Sequence, residues 1–292
     1  MEQKLCMICG QEGDLAFGER FDPALVNSFS YASRKAPELM HFEYLRCGKC
    51  RLLFSSKRVS ADALEQAYKS ADFDASLESE YAAKTYRRLS SRFLRSGVSL
   101  LDVGCGDGAF LRECRNLGLN VQGIEPSREA ADGAETTMSS LIFKGPYQRF
   151  ESKENFDLIT LFQTIEHLDG PMSFLKWAHD HLNPGGRLLI TCHDHTAPVN
   201  RVMRERSPIF DIEHLQLFSR TAIRRGLETT GFEVESLSRY SNTYPLSYWV
   251  RLSPLPTRLK NLVRRPGSRV GAVPVRLPVG NLFAAGRRQD ES

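Results

Sequence analysis

The sequence predicts an α/β protein with a small metal-stapled segment in front of it. Three observations predict this. Apolar strand patterns alternate with amphipathic helical ones from residue 98 onward, a glycine-rich turn joins the first such strand to its helix, and two CxxC pairs lie in the first fifty residues. The chain of 292 residues is 41% hydrophobic and 25% charged, which excludes disorder throughout and a disulfide-stapled miniprotein. Its apolar runs fall short of the roughly 18–20 residues that span a bilayer, and the start, Met1 to Cys6, has no apolar h-region after its basic residue. With seven cysteines, a sparse and odd count, the expectation is a reduced, cytoplasmic protein.

The cysteines divide the chain. Cys6-Met7-Ile8-Cys9-Gly10 and Cys47-Gly48-Lys49-Cys50 are two polar knuckles, each with a glycine beside or between the thiols. Two thiolates at this spacing bind one ion from a tight turn, and two knuckles complete a tetrahedral four-thiolate zinc site with no position left for water. Such a zinc is structural and stabilises a segment too small to fold alone. A thioredoxin-type dithiol would need a βαβ context that is absent here. Between the knuckles, Met40–Leu45 reads as a strand, and Leu52-Leu53-Phe54 closes the ribbon. Cys114 and Cys192 fall in apolar patterns and read as buried small hydrophobes.

Ser60 to Tyr68 starts helically behind a serine cap, a polar stretch over 69–79 marks the hinge between domains, and Tyr81 to Leu89 reads as a docking helix. Then Val98–Val103 is a buried strand, Gly104-Cys105-Gly106-Asp107-Gly108 a turn, and Ala109–Leu117 a helix with Phe110, Leu111, Cys114 and Leu117 on one face and Gly118 as its stop. Glycines are needed where a backbone turns sharply and a ligand approaches main-chain atoms. The next strand, Asn120–Ile124, ends at Glu125, where a carboxylate accepts hydrogen bonds from ribose hydroxyls in dinucleotide and S-adenosylmethionine sites alike. Asp102 and Asp107 separate the two: both would repel a pyrophosphate, and Asp102 can orient a cationic amino group.

Downstream, Phe156–Phe162 is a buried strand followed by Gln163-Thr164-Ile165-Glu166-His167-Leu168. Gly170-Pro171 opens a helix, and Asn183-Pro184-Gly185-Gly186 turns into the strand Arg187–Cys192. The ordered motifs LLDVGCGDG, GIEP, FDLITLFQTIEHL and LNPGGRLLI resemble the class I S-adenosylmethionine-dependent methyltransferases over roughly residues 80–240. Phe210 to Ser219 is similar to the segment before the last helix in bacterial methyltransferases with an N-terminal zinc-binding domain, found among sugar and polysaccharide clusters. The resemblance implies a Rossmann-like sheet, parallel with an antiparallel last strand supplied by Gly280–Arg288, behind the zinc ribbon. It implies that Asp102, Gly104, Gly106, Asp107, Glu125 and Gln163 hold the donor. Where many members carry an acidic residue after the third strand, this chain has Pro146-Tyr147-Gln148, so backbone groups or Gln148 are expected at the adenine amine in place of a carboxylate.

For the general base, the sugar C-methyltransferases suggest Glu213 and His214, with His167 as second candidate; His has a suitable pKa, and a carboxylate fixes its tautomer. His214 is equally compatible with a purely structural role in shaping the loop. His179, His181, His193, Asp194 and His195 also invite a metal site, but none of these histidines share an i, i+4 helical face and they read as solvated.

The formal charge of +4 is uneven. Residues 251–292 hold nine Lys and Arg against Asp290 and Glu291, so the tail carries +7 and the body −3. The segment 244–276 mixes these cations with aromatics, which suits a lid, a peripheral contact with anionic membrane or phosphate groups, or a solvated flap. The division expected is a zinc ribbon (1–58), helical linker (59–96), donor-binding domain (97–242), basic insertion or lid (243–278) and final strand with tail (279–292). The function expected is methyl transfer to a small-molecule acceptor such as a sugar, nucleotide-sugar or glycan precursor. An RNA methyltransferase is the alternative, disfavoured by the acidic body; a nicotinamide-dependent oxidoreductase, disfavoured by Asp107 and the downstream motifs, and a noncatalytic binding or scaffold protein are others.

Overall fold

The computed structural model describes residues 4–22, 24, 39–57, 66–67, 77–134, 136–253, 260 and 269–289. The N-terminal segment supplies β1 (Gly13–Phe17), β2 (Tyr44–Cys47) and β3 (Leu53–Ser55), paired antiparallel in that order. The strand expected from Met40 begins only at Tyr44; Met40 and His41 are instead buried ahead of it, with His41 against Tyr44 and Phe210. Helix α1 (Leu77–Ser90) follows, buries Ala82 and Ala83, and sets Tyr86 against Phe110 and Phe162. Of the helix expected over residues 60–68, Gln66 and Ala67 are helical and the rest lies outside the described residues, as does most of the hinge.

Strand and helix then alternate: β4 (Ser99–Val103), α2 (Ala109–Asn116), β5 (Asn120–Glu125), α3 (Arg128–Asp132), α4 (Thr136–Ser139), β6 (Ile142–Lys144) and β7 (Phe156–Phe162). After these come α5 (Pro171–His181), β8 (Leu182–His193), α6 (Pro198–Met203), β9 (Gln216–Leu217), α7 (Arg220–Thr229), β10 (Phe232–Pro245), α8 (Leu246–Leu252) and β11 (Pro274–Arg288). The main sheet has the order β10-β11-β8-β7-β4-β5-β6. β4, β5, β6, β7 and β8 are parallel neighbours, and β11 runs antiparallel to both β8 and β10. The central strands bury both faces, as their continuous apolar runs require.

The last strand is longer than expected. It starts at Pro274, because beyond the sheet β10 and β11 continue as a two-stranded ribbon pairing Asn242 with Leu277 and Tyr244 with Val275. Pro278 is accommodated at a bulge, where pairing jumps from Tyr240–Asn281 to Asn242–Leu277 and Gly280 takes φ +82°. The segment 243–278 thus begins and ends inside this ribbon; 254–259 and 261–268 lie outside the described residues.

The short strand β9 does not join the main sheet. It pairs antiparallel with β3, Leu53 opposite Leu217 and Phe54 opposite Gln216, and completes the N-terminal sheet as β1-β2-β3-β9. Leu217 is buried with Tyr44, Leu53, Ile209 and Phe210 in a satellite core between the two parts of the chain. Ser219 caps α7 by accepting from Ala222 N at 3.1 Å and donates to Cys50 O at 2.8 Å, so one hydroxyl ends a helix and ties it to the second knuckle. Substituting Ser219→Ala removes both bonds and should cost about 1–2 kcal/mol, read as a lower midpoint in urea at unchanged slope.

Candidate active site

The glycine-rich turn is built at the carboxyl end of β4. Gly104, Gly106 and Gly108 all have positive φ, from +56° to +76°, where other residues are strained. Gly104 is also fixed by space: a Cβ there would stand 2.9 Å from Thr164 Cγ2 and closer still to Thr164 Oγ1. The loop after β7 therefore packs directly on the turn. Gln163, next to Thr164, has φ +53°, a rare conformation for a residue with a side chain, and its N–H donates to Thr191 O at 2.9 Å. Its amide donates to the Tyr240 hydroxyl at 3.3 Å, reaching the final hairpin.

The carboxylates expected around the turn fall into distinct settings. Glu125, buried at the end of β5, accepts from Gly106 N and from Ser127 N, each at 2.8 Å. It thus fixes the turn's backbone. Asp107 accepts from Ala109 N at 3.2 Å and closes the start of α2. Asp102 is buried and accepts from Thr160 Oγ1 at 2.6 Å; burial pushes its carboxyl up to about 7, partly offset by that bond. After β6, Tyr147 is buried against Phe174 and Trp177, and Gln148 is exposed.

On the other side of β7, His167, Glu213 and His214 come together. One ligand atom of each lies within 4.8 Å of the others, and the His167 and His214 rings are 4.9 Å apart. His214 Nδ1 donates to Ile209 O at 2.8 Å and His167 Nδ1 to Glu213 O at 3.2 Å. A carbonyl oxygen only accepts, so in the neutral rings both lone pairs sit on Nε2. His193, read from the sequence as solvated, stands beside them, 5.1 Å from the His214 ring, with Nδ1 bonded to Asn281 Oδ1 at 2.8 Å. Burial pushes it down to about 4, so it is neutral at physiological pH. The other histidines disperse: His195 donates to Arg51 O at 2.7 Å, His181 stacks on Trp177 and His179 packs on Phe232.

Two residues that sequence reasoning did not single out hold this cluster. Glu166 is fully buried, accepts from His193 N at 2.6 Å through Oε1, and is pushed up to about 8 by desolvation. Gln216 donates its amide to the carbonyls of Ile165, Glu166 and Leu168 at 2.7, 3.1 and 2.7 Å. The only sequence signal for Gln216 is a polar residue between Leu215 and Leu217 in an otherwise apolar stretch. The four knuckle cysteines also cluster, their sulfurs all within 4.8 Å, with Cys6 and Cys50 at 3.5 Å. About 3.8 Å separates sulfurs on a tetrahedron with zinc–sulfur bonds of ~2.3 Å, so the donor set suits that ion.

A family model described as a methyltransferase domain matches residues 73–237, more than half of the chain. The chain belongs to this methyltransferase family. Over 105 residues it is 31% identical to a ubiquinone biosynthesis O-methyltransferase of Ruegeria pomeroyi, covering 31% of this chain and 39% of that protein. Its mitochondrial counterpart in Rattus norvegicus is 31% identical over 106 residues, 33% of this chain and 31% of that one. The methyltransferase chain thus spans about a third to two fifths of the length of these relatives. An Archaeoglobus fulgidus structure, a SAM-dependent methyltransferase, superposes with a TM-score of 0.51 at 14% identity, covering 78% of this chain and all of that one. It shares the fold. No helix among the described residues is long and apolar enough to cross a membrane.

Asp102 generates a pH test. Its folded pKa, about 7, exceeds the 3.8 of an unperturbed aspartate, so the folded state holds a proton that the unfolded state releases. The stability this contributes is full below about 4 and lost as pH rises through 7. Replacing it in Asp102→Asn, which keeps the acceptor for Thr160, should flatten the fall of unfolding free energy between those limits by up to one proton, about 1.4 kcal/mol per pH unit.

Proposed function

We propose that the chain transfers a methyl group from S-adenosylmethionine to a small-molecule acceptor. The observation that carries this reading is the turn at β4, with three left-handed glycines, Glu125 clamping Gly106 N, and buried Asp102 beneath it. Bound there, the donor supplies a methyl group on a sulfonium that is already a good leaving group. Gly104 and Gly106 give close approach of backbone, Glu125 takes the ribose hydroxyls, and Gln163 lies at the methionine end. Asp102, relieved of its proton, balances the donor's amino group. Asp107 contributes by setting the loop.

Activation of the acceptor belongs to the cluster of His214, Glu213 and His167. His214 offers Nε2 to an acceptor proton, because Ile209 O already takes its Nδ1–H. The acceptor class that suits the chain is a sugar, nucleotide-sugar or glycan precursor. Arg88 on α1 donates to Ser241 O at 2.9 Å and so reaches the final hairpin, where Arg276 is a neighbouring cation and a phosphate would relieve both. The O-methyltransferase relatives align over only a third of this chain, so the acceptor they are named for does not carry over. The four knuckle thiols hold a structural zinc, and seven cysteines without a disulfide suit a reducing, cytoplasmic setting.

Calorimetry and turnover test it. Gly104→Ala should weaken S-adenosylmethionine at least roughly tenfold, since both φ and Thr164 oppose the methyl group. His214→Ala should lower kcat by roughly 10²–10⁴-fold with donor affinity unchanged. If NAD binds more tightly than S-adenosylmethionine, the proposal is wrong.

Zinc gives a separate check. The double variant Cys6→Ser, Cys47→Ser should lose one zinc per chain by elemental analysis. It should lose turnover while keeping donor binding, because the ribbon holds the acceptor-side segment rather than the glycine turn. Equal zinc content in variant and parent would refute the assignment.

A further inference from the structure

Besides the four thiols, one group of ligand-type side chains among the described residues is assembled closely enough to hold an ion. We infer that His167, Glu213 and His214 form a second metal site, taking a divalent first-row transition ion at the acceptor end of the fold. Two imidazoles and a carboxylate with positions left open are the donor set of catalytic rather than structural sites. They differ in kind from the closed four-thiolate set of the knuckles.

Three features support an ion here. The first is proximity, with one donor atom of each residue within 4.8 Å of the others. The second is the tautomers. His214 points Nδ1 at Ile209 O, which puts its lone pair on Nε2, while His167 Nδ1 faces Glu213 O and, at 3.8 Å, the Glu213 carboxylate itself. Metal-bound imidazoles are held in this way, the outer N–H donated to a carbonyl or carboxylate so that the inner nitrogen is aimed. The third is preorganisation. Residues 46 positions apart in sequence are locked together by Leu215 N donating to Glu166 O at 2.9 Å and by the Gln216 amide on three carbonyls of the 165–168 turn. Tyr44 donates to His214 O from the ribbon side. Holding two such segments in register is what a site shared between them requires.

The site is three residues past Thr164, which packs on Gly104, so an ion there lies beside the donor turn. Its open positions suit water or an acceptor oxygen, whose proton the ion's charge would make easier to lose. With an ion bound, the Nε2 lone pair of His214 is on the metal, so the ion takes over activation of the acceptor from that nitrogen; this rests on the proposed function only for the acceptor, and ion binding stands apart from it.

Cobalt(II) added to the full chain after chelation and dialysis tests the site. Two equivalents should bind. One shows thiolate-to-cobalt charge transfer and disappears in Cys6→Ser, Cys47→Ser; the other shows ligand-field bands alone. The second equivalent should weaken at least roughly tenfold in Glu213→Gln and in His167→Gln, with the thiolate band unchanged as a control for folding. A single equivalent in the parent chain, or a second one indifferent to both substitutions, overturns the inference. Calorimetry with S-adenosylmethionine on the same samples reads the donor site separately, so loss of donor binding would sink the functional proposal while leaving the metal site standing.

Discussion

The pairing of β9 with β3 is the interaction on which the acceptor side of the molecule depends. Residues 209–219 form almost no regular structure of their own, yet nearly every one is buried. Their polar groups are satisfied from two directions. From the ribbon, Ser55 N donates to Leu215 O at 2.8 Å, Tyr44 donates to His214 O, and Cys50 O accepts from Ser219. From the main sheet, Glu166 O and the turn after β7 take Leu215 N and the Gln216 amide. A buried polar group left without a partner costs about 1–3 kcal/mol, so withdrawing the ribbon would leave several such groups at once. The N-terminal segment therefore supports the stretch that carries Glu213 and His214, and His195 bonded to Arg51 O extends that contact toward the end of β8.

The donor side follows a different logic, in which backbone geometry does the positioning. The turn after β4 is held from below by Glu125 and from the side by Thr164, so its shape is fixed by β5 and β7 together. The same loop that carries Thr164 continues into Ile165, Glu166 and His167. The glycine turn and the His167–Glu213–His214 cluster thus share one short loop after β7.

How much of this was legible in the sequence depends on how local each feature is. The knuckles, the glycine turn, Gly118, Ser219 as a cap and Pro171 at a helix start are local signals, and each appears where its chemistry predicts. The antiparallel last strand came from resemblance, and its true start at Pro274 was hidden because Pro278 reads as a strand breaker; a bulge removes that objection. β9 is two residues long, too short for any period to register, and its partner lies more than 150 residues away. His193 was misread as solvated for the same reason. Its neighbours are Asn281, 88 residues on, and His214, and only the insertion of β11 beside β8 brings Asn281 opposite it.

Asp102 and Glu166 show how one physical effect serves opposite ends. Both are buried carboxyls whose pKa is raised chiefly by desolvation, to about 7 and about 8; Asp102 is met by Thr160 Oγ1, and Glu166 by His193 N and its own backbone N–H. Their surroundings differ. Glu166 is walled in by backbone: His193 N takes one oxygen, and its own carbonyl holds Leu215 N and the Gln216 amide. It is a tie between β7, β8 and the 209–219 segment, and a protonated carboxyl suits a tie because it leaves no charge to be solvated. Asp102 ends in the open turn of three glycines, with Glu125 near enough to disfavour its charge. The donor cation proposed above would reverse the balance at Asp102, whereas Glu166 keeps its Oε2 buried without a hydrogen-bond partner among the described residues. Burial alone does not distinguish a binding carboxyl from a structural one; what lies along the remaining open direction does.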